Sequence, residues 1–260
     1  TIEKLVNSAL NSPSFTFFVP IIAYADKPNV IQKAGTPFHY LGFTLVSPHA
    51  GKNLSSLSNK TQIIKNFGGN CYLIYRKERD IEGDDSTFYY SLEELDFLAR
   101  NFLLHFHRSL LITDAIATHH VGSTIGLSND GDKEYSNKRF FLIHRNRWFY
   151  LLKNYQIKTL VLIIPPLILS ELSLLLFNFI FLKDKLTIFK SYRSLAKNWT
   201  VLLQNRRQVQ ANRVCKDKNW LEAEHLRFTA TTAKGKISRL SLKVLDFSFS
   251  KYGQIVLGIK

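Results

Sequence analysis

The sequence predicts an α/β fold followed by membrane-associating α-helices, and three observations indicate that fold class. The chain opens with a helix, a turn and a strand, an order that is typical of an α/β domain. An amphipathic helix is predicted over residues 92–106, between two segments with strand character. A run of 23 mostly apolar residues, 160–182, is followed at once by a basic segment, as in chains that meet a membrane.

The elements of the first 120 residues follow from local patterns. Residues 1–10 carry apolar side chains at helical spacing, and the segment 11–14, which contains a proline, ends that helix. Residues 47–62 are rich in Ser, Asn, Gly and Lys and are predicted as a loop. Strands are predicted where aromatic and β-branched residues cluster, at 15–22, 29–35, 70–75 and 110–118.

The strongest helical pattern in this half of the chain covers residues 92–106. Its apolar residues form one stripe that predicts a packed face. Ser91 with Glu94 three residues later has the capping-box pattern, which predicts Ser91 as the N-cap. The charged residues that fall on a different face are Glu93, Asp96 and Arg100.

The apolar run at 160–182 is long enough to cross a bilayer, but a proline pair, Glu171 and Asn178 interrupt it. A carboxylate near the centre of a span costs about 2.5–3.5 kcal/mol on the insertion scale, so a kinked, partly inserted hairpin is the alternative to one clean span. Residues 189–203 have an apolar stripe with Lys and Arg elsewhere, which predicts an interfacial helix on an anionic leaflet. The alternative is an ordinary helix packed on the domain. Residues 225–260 alternate irregularly and are predicted as short strands.

The net charge indicates the kind of partner, and the cysteine content indicates the redox compartment. The chain has 35 Lys and Arg against 20 Asp and Glu, a formal net charge of +15, so an anionic partner is expected. Cations between 183 and 213 flank apolar sequence and do not alternate with aromatic residues on a sheet, which favours a membrane surface and argues against nucleic acid. Cys71 and Cys215 lack metal-type spacing and fit a reducing compartment.

The candidate chemistry lies in residues 68–126. Three acidic residues crowd the first turn of the helix at 92–106, where the partial positive charge of a helix N-terminus tolerates them. A carboxylate there, at the mouth of an α/β sheet, is suited to act as a general base for an acceptor hydroxyl. A histidine at a strand end, followed by a Gly/Ser/Thr loop, is suited to bind a metal beside a flexible lid.

Each of these residues also has a purely structural interpretation. Glu94 could simply cap the helix, and a charged pair four residues apart, Asp96 and Arg100, could be a surface ion pair. His119 and His120 could merely end a strand. The order and spacing of the residues taken together favour the functional interpretation.

Several motifs in order resemble the family 2 glycosyltransferases, particularly their rhamnosyltransferase-like branch. An aromatic pair precedes the acidic helix start at 88–96, with an arginine four residues beyond the last acid. A strand then ends in His119-His120-Val121-Gly122-Ser123-Thr124, which is similar to the His-x-x-Gly-Ser/Ala-Ser/Thr loop of that branch. The flanking segments that also resemble the family are Val19-Pro20, 28–35, Phe140-Phe141 and Arg145-Asn146. The resemblance covers about residues 1–215.

This resemblance implies an incomplete GT-A (Rossmann-like) domain, an inverting transfer from a nucleotide-sugar donor, and a divalent metal, Mg or Mn. By position, Glu94 matches the catalytic base and Glu93 the acid that precedes it. Asp96 matches a second acid that orients the acceptor or the helix, with Arg100 as its support. The remaining matches are His119 for a metal-site histidine, Gly68 and Gly69 for the small residues beside the donor sugar, and Gly122, Ser123 and Thr124 for the flexible loop.

Two departures from the family pattern matter. The family base is usually Asp, and the extra methylene of Glu94 moves the carboxylate outward; a misplacement of about 1 Å can cost a hundredfold in rate. The Asp-x-Asp metal motif and the first nucleotide-binding strands are expected upstream of Thr1, since Asp84-Asp85 are adjacent and do not alternate. The chain also contains no methionine, which fits a truncated or processed chain. The main metal ligands are therefore expected before Thr1, and the chain alone is expected to bind the donor poorly and to be inactive.

The predicted organisation is residues 1–150 as the C-terminal portion of a GT-A domain, 151–215 as membrane-associating helices, and 216–260 as a tail without an assigned role. The expected function is sugar transfer to a hydroxyl of a glycan or lipid-linked acceptor in cell-surface polysaccharide synthesis, at the cytoplasmic face of the cell membrane. The alternatives are a non-catalytic membrane-anchored interaction protein and a basic nucleic-acid-binding protein.

Overall fold

The structure is a computed structural model that describes residues 1–58, 60–68, 71–76, 80–120, 137–226 and 236–259, with backbone only over 236–242. Strands and helices are both present, so the α/β prediction is confirmed. The strands are β1 (Phe17–Tyr24), β2 (Ile31–Lys33), β3 (Phe38–His39), β4 (Phe43–Thr44), β5 (Gln62–Ile64), β6 (Leu73–Ile74) and β7 (Ser109–His119). The helices are α1 (Ile2–Asn11), α2 (Glu93–His105), α3 (Asn137–Asn154), α4 (Ile157–Leu162), α5 (Ile164–Phe181), α6 (Thr187–Lys197), α7 (Trp199–Asn212), α8 (Asp217–Trp220) and α9 (Lys236–Val256).

A mixed sheet with the order β2-β1-β7-β5 forms the centre of the molecule. β6 also pairs with β1, at Phe17 and Phe18, whereas β2 pairs with β1 at Ile22 and Ala23. β1 and β7 run parallel, while β2, β5 and β6 pair antiparallel with their neighbours. β1 and the first half of β7 are apolar and buried because the sheet is covered on both faces there, whereas the second half of β7 alternates buried residues with exposed or partly exposed ones. The predicted strands at 15–22 and 110–118 are thereby confirmed.

Pro20 lies within β1, where a missing N–H would interrupt the ladder of a central strand. The register of β1 against β7 shifts at this proline: Pro20 lies opposite Ile112, and Ile21 lies opposite Ile116. The irregularity in the pairing thus coincides with the residue that cannot donate a hydrogen bond.

The alternation of β1 side chains divides the molecule into layers. Phe18 faces α1, where Leu5 and Ala9 close a small core. Phe17 and Val19 face the main core on the other side of the sheet. That core also contains buried residues from α2, α3, α8 and α9: Leu95, Phe102, Phe149, Tyr150, Trp220 and Phe249.

Several local predictions are corrected. Residues 225–260 do not form short strands where the structure describes them, because α9 runs through 236–256. The loop at 47–62 contains a 3₁₀ turn (Leu54–Ser56), and its last residue begins β5. The strand predicted at 70–75 is reduced to the two residues of β6, and Ile74 is exposed, so it is not a buried strand.

The helical second half is more broken than its apolar pattern predicts. The run at 160–182 is not one helix. Ile163 lies between α4 and α5, as the C-cap of the first and the N-cap of the second. Pro165 and Pro166 lie in the first turn of α5, where the missing N–H groups have no helical partner to lose. The single helix predicted at 189–203 is likewise wrong, because Asn198 separates α6 from α7.

Candidate active site

The first turn of α2 presents the acidic residues that the sequence singled out. Ser91 and Leu92 both have positive φ, 68° and 70°, so the chain makes a left-handed turn just before the helix. Leu92 is the N-cap and offers no side-chain cap, so the prediction of Ser91 as the N-cap is wrong. Left-handed backbone costs roughly 1–2 kcal/mol per residue, so other contacts must hold this turn in place.

Those contacts come from α3. The fully buried Asn146 side chain donates to the carbonyls of Tyr90 and Ser91, at 2.7 Å each. Arg145 donates to the Thr87 carbonyl at 2.9 Å. The Arg-Asn pair of α3 therefore fixes the strained turn, and through it the direction in which Glu93 and Glu94 leave the helix.

Asp96, in the first turn of α2, faces the interior of the protein and is almost fully buried. Its carboxylate accepts from Arg100 at 2.9 Å, from Lys153 at 2.7 Å and from Asn154 at 2.8 Å. Lys153 also pairs with Asp85 at 2.6 Å. Because both Asp96 oxygens are engaged inside the protein, Asp96 supports the helix and does not reach a substrate. Its pair with Arg100 is buried, and the surface-pair alternative does not apply.

Glu93 and Glu94 line a cavity of about 190 Å³ together with Lys33 of β2 and Gly68. Burial, and then repulsion from Glu94, raises the pKa of Glu93 to about 7. One carboxylate oxygen of Glu93 is buried without a hydrogen-bond partner in the part of the chain that the structure describes. The cavity therefore contains a carboxyl group that changes charge near neutral pH.

Lys33 connects this carboxylate pair with His119. Burial lowers the pKa of Lys33, while Glu94 and Glu93 oppose that shift, so both carboxylates are within electrostatic reach of its ammonium. His119 ends β7, and its Nδ1 lies 3.0 Å from the Gln32 side-chain oxygen. Burial, and then Lys33, lowers the pKa of His119. Glu93, Glu94 and His119 therefore lie around one lysine.

A larger cavity of about 820 Å³ lies between the segment 82–87, the outer face of α2, and α7. Its two deepest cations, Arg100 and Lys153, are already held by carboxylates. Amides of α7 line it, from Asn205, Gln208 and Asn212. Glu93 and Glu94 do not line it, so the candidate chemistry lies in the smaller cavity.

The predicted site residues thus divide into three groups. Glu93, Glu94 and Gly68 share one cavity, and His119 lies within reach of it through Lys33. Asp96 and Arg100 form the buried support below. The predictions for Gly69, Gly122, Ser123 and Thr124 lie outside the described residues.

Sequence reasoning did not single out Lys33, Lys153 or the clamping role of Asn146. For Lys33 the available signal was a lysine within the predicted strand at 29–35. For Lys153 it was a basic residue among the apolar residues of a helix, where a buried charge requires a partner.

The described residues do not by themselves make a divalent-metal site. Across the ranges described, no group of three or more His, Cys, Asp or Glu is placed to hold a metal ion. The His119 imidazole is within electrostatic reach of the Lys33 ammonium, and this positive charge disfavours a second cation at His119.

Comparisons of the chain with protein-family models, with curated proteins and with solved structures find no match.

Proposed function

We propose that this chain carries the acceptor side of an inverting sugar-transfer site, in which a nucleotide-sugar donor passes its sugar to a hydroxyl of a glycan or lipid-linked acceptor. The observation that carries the proposal is the pair Glu93 and Glu94 on the wall of one cavity, at the start of a clamped helix and around Lys33. Paired carboxylates with one pKa near neutrality are typical of general acid–base sites.

In the proposed reaction, Glu94 accepts the proton of the acceptor hydroxyl as its oxygen attacks the anomeric carbon. The bond from that carbon to the diphosphate oxygen breaks, and the diphosphate leaves with the electron pair. Because the attack comes from the face opposite to the leaving group, the configuration inverts. Lys33 supplies positive charge near the carboxylates and favours the ionised form of Glu93.

The two cavities accommodate different parts of the acceptor in this proposal. A volume of about 190 Å³ is below the roughly 300–1,000 Å³ of pockets that enclose a whole small ligand, so it fits about one sugar ring. Asp84 lines the larger cavity and is also within electrostatic reach of Glu93. The amide and carboxylate lining of that larger cavity suits the hydroxyl groups of further sugars.

The test is nucleotide-diphosphate release by the full-length gene product, screened over UDP-, GDP- and dTDP-sugars. Glu94→Gln is expected to lower the transfer rate by about 10²–10⁴-fold, since it removes the general base while it keeps the shape of the side chain. The matched control is Glu3→Gln, which changes an exposed glutamate in the first turn of α1.

Two results would contradict the proposal. An unchanged rate in folded Glu94→Gln protein would remove Glu94 as the base. If the folded full-length protein released no diphosphate from any donor, with either a glycan or a lipid-linked acceptor present, the assignment as a transferase would fail.

A further inference from the structure

Helix α5 has two different faces, one that contains its few polar residues and packs on the protein, and one that is apolar and largely exposed. It is apolar almost throughout, and within the described chain it is the one helix long and apolar enough to cross a membrane. At 100° per residue its exposed apolar side chains fall within roughly half of the helix circumference. They are Ile164, Ile168, Leu169, Leu172, Leu176, Phe179 and Ile180, and the one exception is Phe181, which is exposed on the other half at the last position of the helix. The opposite half of the helix faces the protein.

The protein-facing half of α5 is attached along most of the helix. At its start, Ile163 and Leu167 belong to the main core. At its centre, Glu171 pairs with Arg147, and His144 Nε2 of α3 lies 2.9 Å from the same carboxylate. Near its end, the Asn178 side chain donates to the Lys185 carbonyl at 2.6 Å and accepts from the backbone at the start of α6 at 3.2 Å.

This attachment favours an α5 that lies against the protein over an α5 that crosses a bilayer. A spanning helix would have to carry its core residues Ile163 and Leu167 and the buried Arg147 pair into hydrocarbon, away from the helices that satisfy them. The carboxylate that interrupts the apolar run points into the protein and not toward the exposed half. Glu171 therefore does not reduce the apolar character of the outward face.

The surroundings of this face are basic. Residues 157–199 contain six Lys or Arg against two Asp or Glu. One of those acids, Glu171, is paired with Arg147, and the other, Asp184, pairs with Lys190. The side chains of Lys158, Lys183, Lys185, Arg193 and Lys197 are exposed. An apolar stripe with cations at its borders is complementary to an anionic lipid surface.

We propose that the outward half of α5 inserts in the plane of a bilayer surface that contains anionic lipid, within one leaflet and without crossing. The exposed aliphatic side chains enter the boundary between head groups and acyl chains, and the neighbouring lysines contact lipid phosphates. This inference names the surface on which the proposed transfer takes place. It does not depend on catalysis, because lipid binding is measured without donor or acceptor.

The first experiment is flotation of the whole chain with vesicles of phosphatidylcholine, with and without phosphatidylglycerol. Binding is expected with phosphatidylglycerol, is weaker without it, and falls as salt is raised. Leu172→Glu with Leu176→Glu, at positions 57% and 61% exposed, is expected to weaken binding at least about tenfold. The matched control, Ile255→Glu at a position 79% exposed on α9, is expected to bind like the parent.

The second experiment measures depth with spin labels on cysteines introduced at Ile168, Leu172 and Phe179, in a background with Cys71→Ser and Cys215→Ser. These three positions face nearly the same direction but extend about 16 Å along the helix. An in-plane helix places all three at similar depths of roughly 5–10 Å. A label at Leu172 near the bilayer centre, with Phe179 much shallower, would show a span and overturn the in-plane inference.

Other outcomes would also overturn it. Equal binding to neutral and anionic vesicles would remove the role of anionic lipid. A dimer in solution that the double Glu variant dissociates, without vesicle binding by the parent, would assign this face to a second copy of the chain. If the parent protein transferred sugar but did not bind vesicles, the lipid-binding inference would fail while the proposed function would stand.

Discussion

At the scale of single residues, Glu93 and Glu94 interact because they are chain neighbours whose carboxylates share one cavity wall. Burial and the charge of Glu94 raise the pKa of Glu93 to about 7, while Lys33 opposes that rise. Glu93 is therefore neutral below pH 7 and ionised above it. The negative charge on the cavity wall that Glu93 shares with Glu94 therefore increases as the pH rises through about 7.

The transfer rate of the full-length gene product is therefore expected to rise with pH through about 7. Glu93→Gln is expected to remove that inflection and to lower the rate at pH 8 about tenfold, because a neutral amide cannot supply the negative charge that Glu93 carries above pH 7. The measurement is a pH profile of kcat for the parent, Glu93→Gln and Glu94→Gln. If Glu93→Gln were the inactive variant and Glu94→Gln kept the inflection, Glu93 would be the base.

At the scale of elements, side chains of α3 hold three parts of the molecule: the turn before α2, the helix α5, and the buried acid of α2. Arg145 and Asn146 hold the left-handed turn that leads into α2. Arg147, on the next position of the helix, holds α5 through Glu171. Six residues further along α3, Lys153 pairs with Asp96 of α2. The proposed catalytic turn and the proposed lipid face are therefore attached to the same helix.

The buried carboxylate of Asp96, in the first turn of α2, is expected to be essential for stability. Asp96→Ala leaves Arg100 and Lys153 without one of their buried partners, which is expected to cost about 3–5 kcal/mol. The matched control is Asp114→Ala, since the pair of Asp114 with Lys4 is more than half exposed and is worth at most about 1 kcal/mol. Urea unfolding of the three proteins measures both changes, and equal midpoints for the two variants would contradict the assignment.

At the scale of the whole molecule, the C-terminal helix closes the main core. Phe249 of α9 is buried, and the backbone of Gly253 lies close to the Tyr40 ring. Tyr40 in turn donates to the Phe249 carbonyl at 2.9 Å. The last described helix therefore packs against residues near the start of the chain, and the two chain ends contribute to one core.

Gly253→Ala is expected to destabilise the protein by about 1–3 kcal/mol. An added Cβ would lie 2.6 Å from the Tyr40 ring and 2.9 Å from the Ala223 Cβ, so α9 or the tyrosine must move. Gly83→Ala is the control, because a Cβ at that position meets nothing within 4 Å. Thermal unfolding followed by circular dichroism tests this, and identical melting temperatures would show that α9 does not pack as described.

The sequence by itself determined the α/β class, the apolar central strands, α1 and α2, and the acids in the first turn of α2. Those features depend on hydrophobic periodicity and on local chain breakers, which neighbouring residues specify. It also singled out Glu93, Glu94, Gly68 and His119, because the order and spacing of these residues resemble those of the family 2 glycosyltransferases.

Only the tertiary structure decided what surrounds those residues. The left-handed turn at Ser91 and Leu92 depends on hydrogen bonds from Asn146, more than 50 residues away, so no local capping pattern could reveal it. Lys33 joins the site because β2 lies beside the start of α2 in space and not in sequence. The polar residues of α5, among them Ser170, Glu171 and Asn178, lie on one half of the helix, and the structure shows that this half meets α3 and α6 while the apolar side chains of the other half remain largely exposed.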